Sequence, residues 1–273
     1  MTELIDQLRQ IALDRAQLYA DHDFIIRGLW RIQLLFRPNI NERIFNYTIV
    51  SAQTRGQGCC YCHSGGEELT PADLMGQDAR KVHAPSRYTE IALLDAVFSA
   101  FPTTPMATFV LDGYAADKTV QRTNIVVREV LQQICGARRV RPQVVNVGVV
   151  GNFVKALIES GVVVKATDLD MQLIGSSIHG VEVESGDRTL PLVAESDVAL
   201  ITGMTLATNT LGNIIETARQ SGTRLVMFAE TGAHFAEVYC QRFGVDVVVS
   251  EPFPFYIFQG RSVVNVYRCT PNR

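Results

Sequence analysis

The sequence predicts an α/β protein, with a Rossmann-like parallel-sheet domain preceded by a smaller α+β domain, and three observations carry that expectation. The first is the stretch Gln143 to Asp170, QVVNVGVVGNFVKALIESGVVVKATDLD. An apolar run from Val144 to Val150 is closed by Gly151. A short helical stretch, Phe153 to Ser160, stops at Gly161, and a second apolar run, Val162 to Ala166, ends in Thr167-Asp168-Leu169-Asp170. Continuous β-branched runs around a short helix are what strands covered on both faces require, and they make a βαβ unit of the Rossmann type. The second observation is that strand-like and helix-like segments keep alternating beyond residue 143. The third is a change of character before that point, where two strand-like runs and separate helices read as an α+β unit. The divide is placed near 140, in the basic, proline-bearing stretch Arg138 to Pro142, giving domains 1–140 and 141–273.

Composition is compatible with this and narrows the class. The 273 residues are 47% hydrophobic and 19% charged, enough for a sizeable core. A net charge of −3 advertises no nucleic-acid surface. No apolar run approaches the ~18 residues of a membrane span. The opening MTELIDQLRQ is charged and helical, unlike a secretory leader. Six cysteines without such a leader predict a reducing compartment, free thiols and a cytoplasmic protein. The expected partner is a small molecule or a metal ligand, not nucleic acid or a membrane, and a homodimer is compatible with the chain.

Taken in order, Leu4, Ile5, Leu8, Ile11, Ala12 and Tyr19 recur at helical spacing over 3–20. Phe24 to Phe36 and Arg43 to Ala52 read as an antiparallel pair, parted by the turn Arg37-Pro38-Asn39. Residues 54–68, TRGQGCCYCHSGGEE, lose all apolar periodicity and read as a loop. Thr70 and Pro71 mark a helix start. A helix with Ile91, Leu94, Phe98 and Phe101 on one face runs from Arg87 until Pro102, and another covers Ala116 to Cys135. After the βαβ unit, 171–190 reads as a loop with a hairpin-like element. Further strands are expected at Val198–Thr202, Thr223–Ala229 and Val245–Ser250, with helices at Asn209–Gln220 and His234–Phe243, and an edge strand at Ser262–Arg268.

Function in such sheets sits at the carboxyl ends of the strands, which points to Gly151, Asn152 and Phe153, to Asp168, and to the turns after later strands. A dinucleotide fingerprint counted from Gly151 puts Phe153 where the second glycine belongs and Ala156 where the third does. A phenyl group at that position would obstruct a pyrophosphate, so NAD or FAD is not expected; a smaller group such as an adenosyl moiety, or no nucleotide, is. Asp168, ~20 residues after the turn, suits ribose hydroxyls, or it merely ends a strand. Asn152 caps the next helix or meets a ligand. Gly203, Thr205, Thr208, Asn209 and Thr210 open a helix at the same edge, as caps or as an anion site. Glu230 and Thr231 follow another strand, and His234 opens the helix after them. Cys59, Cys60, Cys62 and His63 offer soft ligands within five residues, a set that favours a thiophilic transition metal, with Glu67 and Glu68 as further donors. There is no second C-x-x-C pair, so a structural zinc site is not implied. The alternatives are a reduced loop, or a thiol whose pKa is lowered by backbone amides freed by the glycines. Tyr61, His83 and Arg87 are candidates to face the cleft from the first domain.

From residue 144 the order of signals, Val147-Gly148-Val149-Val150-Gly151-Asn152-Phe153, then Asp168, then Asp197 to Leu206 with Asn209-Thr210-Leu211, resembles the putative heavy-metal chelation family. In that family a Rossmann-like domain follows an enolase-like α+β domain, and residues 20–105 are similar to the latter in order. The resemblance implies a cleft between the domains lined by Gly151, Asn152, Asp168, Gly203, Thr205, Asn209 and the turn Glu230-Thr231-Gly232. Two features depart from the family. The turn after the fourth strand reads Ala229-Glu230-Thr231-Gly232 in place of a glycine–proline–serine type, and the run Cys59 to His63 is additional, as in a specialised member. Three functional readings follow: a metal-handling protein, an enzyme using S-adenosylmethionine, or a binding or scaffold protein with neither.

Overall fold

The computed structural model describes residues 3–19, 23–37, 45–62, 73–134 and 141–269. Helix α1 (Leu4–Gln17) buries Ile5, Leu8 and Ala12, the stripe that its spacing predicts. Strands β1 (Gly28–Phe36) and β2 (Phe45–Gln53) pair antiparallel, as expected. A third strand, β3 (Gln57–Cys62), adds to β2 where the sequence reads as a loop. Helix α2 (Arg87–Phe98) is buried from Ile91 to Phe98 without a break. A helix apolar all round is a core helix. This one lies between the three-stranded sheet and the larger domain, against α1 and β3. The expected helix start at Thr70 lies outside the described residues.

The glycines around the cysteines have a packing role. A β-carbon on Gly58 would fall 2.1 Å from the backbone nitrogen of Ala96 in α2, and one on Gly56 would fall on Ser99. Glycine here lets strand and helix backbones touch.

The larger domain holds a nine-stranded sheet in the order β4-β12-β11-β10-β9-β5-β6-β8-β7. Its parallel centre comprises β5 (Gln143–Val147), β6 (Val163–Asp168), β9 (Val198–Thr202), β10 (Arg224–Ala229) and β11 (Val247–Ser250). All these strands were legible as apolar runs, and burial on both faces is why they lack alternation. The hairpin foreseen in 171–190 is β7 (Ser177–Ile178) with β8 (Val181–Ser185), and β8 extends the sheet beside β6.

Two boundaries differ from expectation. Strand β4 (Ala107–Leu111) pairs with β12 (Ser262–Arg268), so the sheet domain begins before residue 110 rather than at 141. Helix α3 (Ala115–Ile134) therefore belongs to it, packed with α4 (Gly151–Glu159) over one face of β9, β10 and β11. Strand β12 is consequently interior, between β4 and β11, and β4 is the edge. The other face is covered by α5 (Thr189–Glu195), α7 (Leu211–Ser221) and α8 (Ala236–Gln241), whose apolar contacts continue into the first lobe; a single turn, α6 (Met204–Ala207), follows β9. The helices on both faces confirm the doubly covered α/β sheet.

The expectation of free thiols throughout fails at one pair: Cys240 in α8 and Cys269 after β12, with Cα atoms 5.6 Å apart, form a disulfide. Among the described residues no helix is long and apolar enough to cross a membrane.

Candidate functional site

With β8, which runs parallel beside β6, the six parallel strands numbered among themselves run 3-2-1-4-5-6, so chain direction diverges between β5 and β9. Such a divergence opens a crevice at the carboxyl ends of the two strands. On one side of it the chain leaves β5 through Gly148, whose φ of +73° suits glycine. A β-carbon there would also lie 2.5 Å from Thr202 Oγ1 at the tip of β9. Gly148 is thus the glycine the turn requires. Gly151, from which the fingerprint was counted, is the first residue of α4, and a β-carbon on it would meet nothing nearer than 3.6 Å.

The expectation for Phe153 is overturned with that count. Its ring is fully buried and meets Phe228 edge-on at 5.3 Å, facing the core under α4 and not the crevice. It obstructs nothing at the strand ends.

The turn is held from within. Gly148 N–H donates to Thr167 O at 3.0 Å, Val149 N–H to Asp168 Oδ2 at 2.8 Å and Val150 N–H to Asn146 Oδ1 at 3.0 Å. The buried Asn146 amide donates to Gly148 O at 3.3 Å and Leu200 O at 3.2 Å, tying β5 to β9. Asp168 Oδ1 accepts from Asp170 N–H at 2.9 Å. Each Asp168 oxygen thus already holds one backbone donor while the side chain stands in the crevice wall.

The crevice widens into a cleft of about 1290 Å³ between the strand tips, the β7–β8 hairpin and the outer face of the three-stranded sheet. Gly151, Asn152, Asp168, Gly203, Thr205, Glu230 and Thr231 line it, together with Tyr61. Asn209 does not: it adopts φ +59°, and its Oδ1 accepts from Arg87 Nη2 at 3.0 Å, outside the cleft. Arg87 also donates to Leu206 O at 3.0 Å, so it joins the lobes rather than facing a ligand. His83 is exposed beside Glu90.

Strand geometry separates the cysteines. Side chains alternate along β3, which sends Cys59 to the cluster of Ile49, Phe255 and Tyr256, and Cys60 with Cys62 to the opposite, core side. Only Cys62 reaches the cleft wall. His63, Glu67 and Glu68 lie outside the described residues. Among the described residues no group of three or more His, Cys, Asp or Glu side chains converges as a metal cage. Nor are the Cys59 and Cys60 thiols activated. Burial, with Asp95 and Cys60 nearby, pushes the Cys59 thiol well up, and burial, with Cys62 and Asp95, does the same to Cys60.

What β3 does instead is dock the lobes. Its Tyr61 N–H donates to Thr231 Oγ1 at 3.0 Å, and Gly232 N–H donates to Cys59 O at 3.3 Å. Asp95, buried in α2, accepts from Cys59 N–H at 2.9 Å and from His234 N–H at 2.9 Å, with His234 Nδ1 at 3.2 Å. His234 is thereby committed to the joint. Gly203 lets the turn after β9 touch the turn after β10, since a β-carbon on it would lie 2.4 Å from Thr231 O.

The chemically distinctive part of the cleft follows from sheet register. Ala229 in β10 pairs with Ser250 in β11, so the next residues, Glu230 and Glu251, leave adjacent strand ends together. Arg122 from α3 reaches both: its Nη1 is 2.9 Å from Glu230 Oε1 and 3.6 Å from Glu251 Oε2. Its guanidinium lies 3.7 Å from the ring centroid of Tyr256, a desolvated cation–π contact. Glu251 is sealed and accepts from Tyr256 N–H at 2.6 Å. Tyr61 hydrogen-bonds to Glu230 from the first lobe and stacks on Phe255 at 5.3 Å. Burial raises the Glu230 carboxyl to about 7; Arg122 opposes the rise, Glu251 adds to it, and the Tyr61 hydroxyl opposes it. Burial raises Glu251 too, against Arg122. Burial works against the Arg122 charge, but Tyr256, Glu230 and Glu251 hold it protonated.

Sequence reading missed Arg122, Glu251 and Tyr256. The signals were present: Arg122 lies in the stripe of Val126 and Val130 on α3, and Glu251 directly follows an apolar run.

Residues 135–250 match the family model described as DUF364, putative heavy-metal chelation. This agrees with the resemblance read from the sequence, and the matched stretch contains β5 to β11, hence the Gly148, Asp168, Gly203 and Glu230 walls of the cleft. A DUF364-family protein of unknown function from Pyrococcus horikoshii is 13% identical, with 97% of this chain and 99% of that chain covered at a TM-score of 0.56. Another from Desulfitobacterium hafniense DCB-2 is 12% identical, with 80% and 88% covered at a TM-score of 0.50. At these identities the likeness is one of fold, and it extends through both lobes. No curated protein matches the chain.

Proposed function

We propose that this protein binds a small ligand in the cleft between its α+β lobe and the parallel sheet, and that any heavy metal it handles enters as part of such a ligand's complex. The observation that carries this reading is the cleft at the β5/β9 divergence, whose floor turns are fixed by their own hydrogen bonds and whose roof is supplied by the other lobe. A pre-formed concave site at a switch point is where α/β proteins take small molecules. The DUF364 description supports a connection to metals, while the split of Cys59 from Cys60 and Cys62 argues against a protein-thiolate cage. Binding by an adenosyl cofactor has no further support beyond the position of Asp168 at a strand end.

The reading is tested by native mass spectrometry of the protein as purified, with metal analysis of the same sample, on wild type and on Thr208→Trp. Thr208 lines the cleft, and an indole there projects into it and takes up part of the ligand's space. A bound mass present in wild type and absent from the variant is the expected result. A mass or metal retained equally by both places the ligand elsewhere and defeats the proposal.

A further inference from the structure

The residues that set this cleft apart are the two carboxyl groups sharing one guanidinium. We propose that Glu230 is the proton-transfer group of the cleft, exchanging a proton with the basic nitrogen of a small amine-type ligand. The inference rests on the ligand-binding reading above and adds the chemistry of the site and the class of ligand.

The geometry argues for it in three steps. First, Glu230, Glu251 and Arg122 are cut off from solvent, with side-chain exposures of 15%, 0% and 5%. Were both acids ionised, the trio would hold a net negative charge in a poorly solvated place, so the pair takes up one proton far more readily than exposed carboxyls do. Second, the two acids are not equivalent. Glu251 is closed off beneath Tyr256, whereas Glu230 stands in the cleft wall, so the proton that can leave is the one on Glu230. Third, the charge created when it leaves has waiting donors: Arg122 from α3 and the Tyr61 hydroxyl from β3. Burial holds the Tyr61 phenol well above its usual range, so it remains a donor throughout. The groups facing Glu230 are thus Arg122 from α3, Tyr61 and the Cys59 thiol from β3, and Glu251 and Tyr256 from the segment after β11.

The ligand class follows from the rest of the wall. Arg122 is committed to the two glutamates. Among the described residues, Asp168, Asp170 and Asp187 face the cleft against a single further arginine, Arg31, and His179. A lining of that balance favours a ligand that carries positive charge in one of its states. Toward a free-base nitrogen the Glu230 O–H bond breaks, its electron pair stays on the carboxylate and the proton forms an N–H bond on the ligand, and the reverse step returns it; when the amine arrives as its ammonium ion, the Glu230 proton passes to solvent and leaves a carboxylate–ammonium pair, and that release is what a buffer-dependent heat reads. No oxidant or other co-reactant is needed.

Two measurements test this separately. Carboxyl carbons of ¹³C-glutamate-labelled protein are followed by NMR across the pH range in wild type, Glu230→Gln and Glu251→Gln. One resonance is expected to titrate near neutrality, to vanish in the Glu230→Gln protein, and to move back toward the acid range in Glu251→Gln. If Glu230 titrates near the ordinary carboxylate value of about 4.3, the proposal is overturned whatever the cleft binds. Calorimetry with putrescine, histamine and 2-aminoethanol in buffers of different ionisation enthalpy then reads the protons exchanged on binding at neutral pH. A buffer-dependent heat in wild type, with none in whatever binding Glu230→Gln retains, is the expected result. If no amine in the set exchanges a proton while Glu230 still titrates near neutrality, the amine assignment is wrong. Failure of wild type to hold any cleft ligand by mass spectrometry would instead bring down the binding reading, and the NMR result distinguishes the two.

Discussion

Gly148 and Thr202 face each other across the divergence of β5 and β9, so close that a β-carbon on the glycine would sit 2.5 Å from the threonine Oγ1. Everything the cleft presents on that side, from Val149 to Asn152, depends on the turn that this approach permits. Gly148→Ala combines the cost of a left-handed backbone, roughly 1–2 kcal/mol, with a clash, and should destabilise the protein by about 2–4 kcal/mol in urea unfolding. Adding Thr202→Ala removes the clashing atoms and should recover part of the loss but not the backbone share. Gly151→Ala, whose β-carbon would meet Ile178 and His179 at ordinary contact distances of 3.6 and 3.9 Å, should change stability by no more than about 0.5 kcal/mol. Equal losses at 148 and 151 would contradict this assignment.

How much of this was legible in the sequence depends on which force shaped each element. The parallel strands were legible because full burial writes a continuous apolar run. Strand β3 was not, because its glycines and cysteines look like the chemistry of a flexible loop. In the fold Gly58 exists for contact with Ala96, and Cys59 and Cys60 act as small buried side chains on opposite faces. Asp168 and Glu230 could be singled out because strand ends are predictable positions. Arg122 escaped because a charge on a helix reads as solvated, and its burial is explained only by two acids from distant strands.

Asp95 joins the lobes through two backbone donors, the buried Cys59 N–H and the partly buried His234 N–H. Asp95→Ala leaves both without a partner, at about 1–3 kcal/mol for each. The expected outcome is a loss of several kcal/mol in stability, and amide hydrogen exchange that speeds up at Cys59 and His234 before it does in β5 or β9. Uniform acceleration across the chain would show that the lobes do not separate along this joint.

The Cys240–Cys269 disulfide closes a stretch with a sequence separation of 29 and fixes the end of β12 to α8. Bridges over loops of this order contribute about 2–4 kcal/mol. Non-reducing peptide mapping should recover the linked pair, and Cys240→Ser with Cys269→Ser should lower the unfolding free energy by that order. Intact folding of the double variant is expected, since neither residue lies at the cleft. Recovery of both cysteines as free thiols from protein denatured without reductant would remove the bridge from the native description.

The raised Glu230 carboxyl makes a prediction about stability that needs no ligand. Below the unfolded-state value, near 4.5, the group is protonated whether the chain is folded or not, and it contributes no pH dependence. Between there and about 7 the unfolded chain releases the proton while the folded protein keeps it, so the unfolded state binds fewer protons and stability falls as pH rises. Above about 7 both states are ionised and the penalty stays constant, at roughly 3 kcal/mol for a shift of this size. Glu230→Gln deletes the titration while keeping a hydrogen-bond acceptor for Arg122. Relative to wild type, the glutamine variant should therefore gain stability between pH 5 and pH 8, and the gain should level off beyond neutrality. Unfolding curves of both proteins at a series of pH values measure it. A stability difference that is flat across that interval would mean that Glu230 ionises in the ordinary acid range and that Arg122 outweighs both burial and the Glu251 charge.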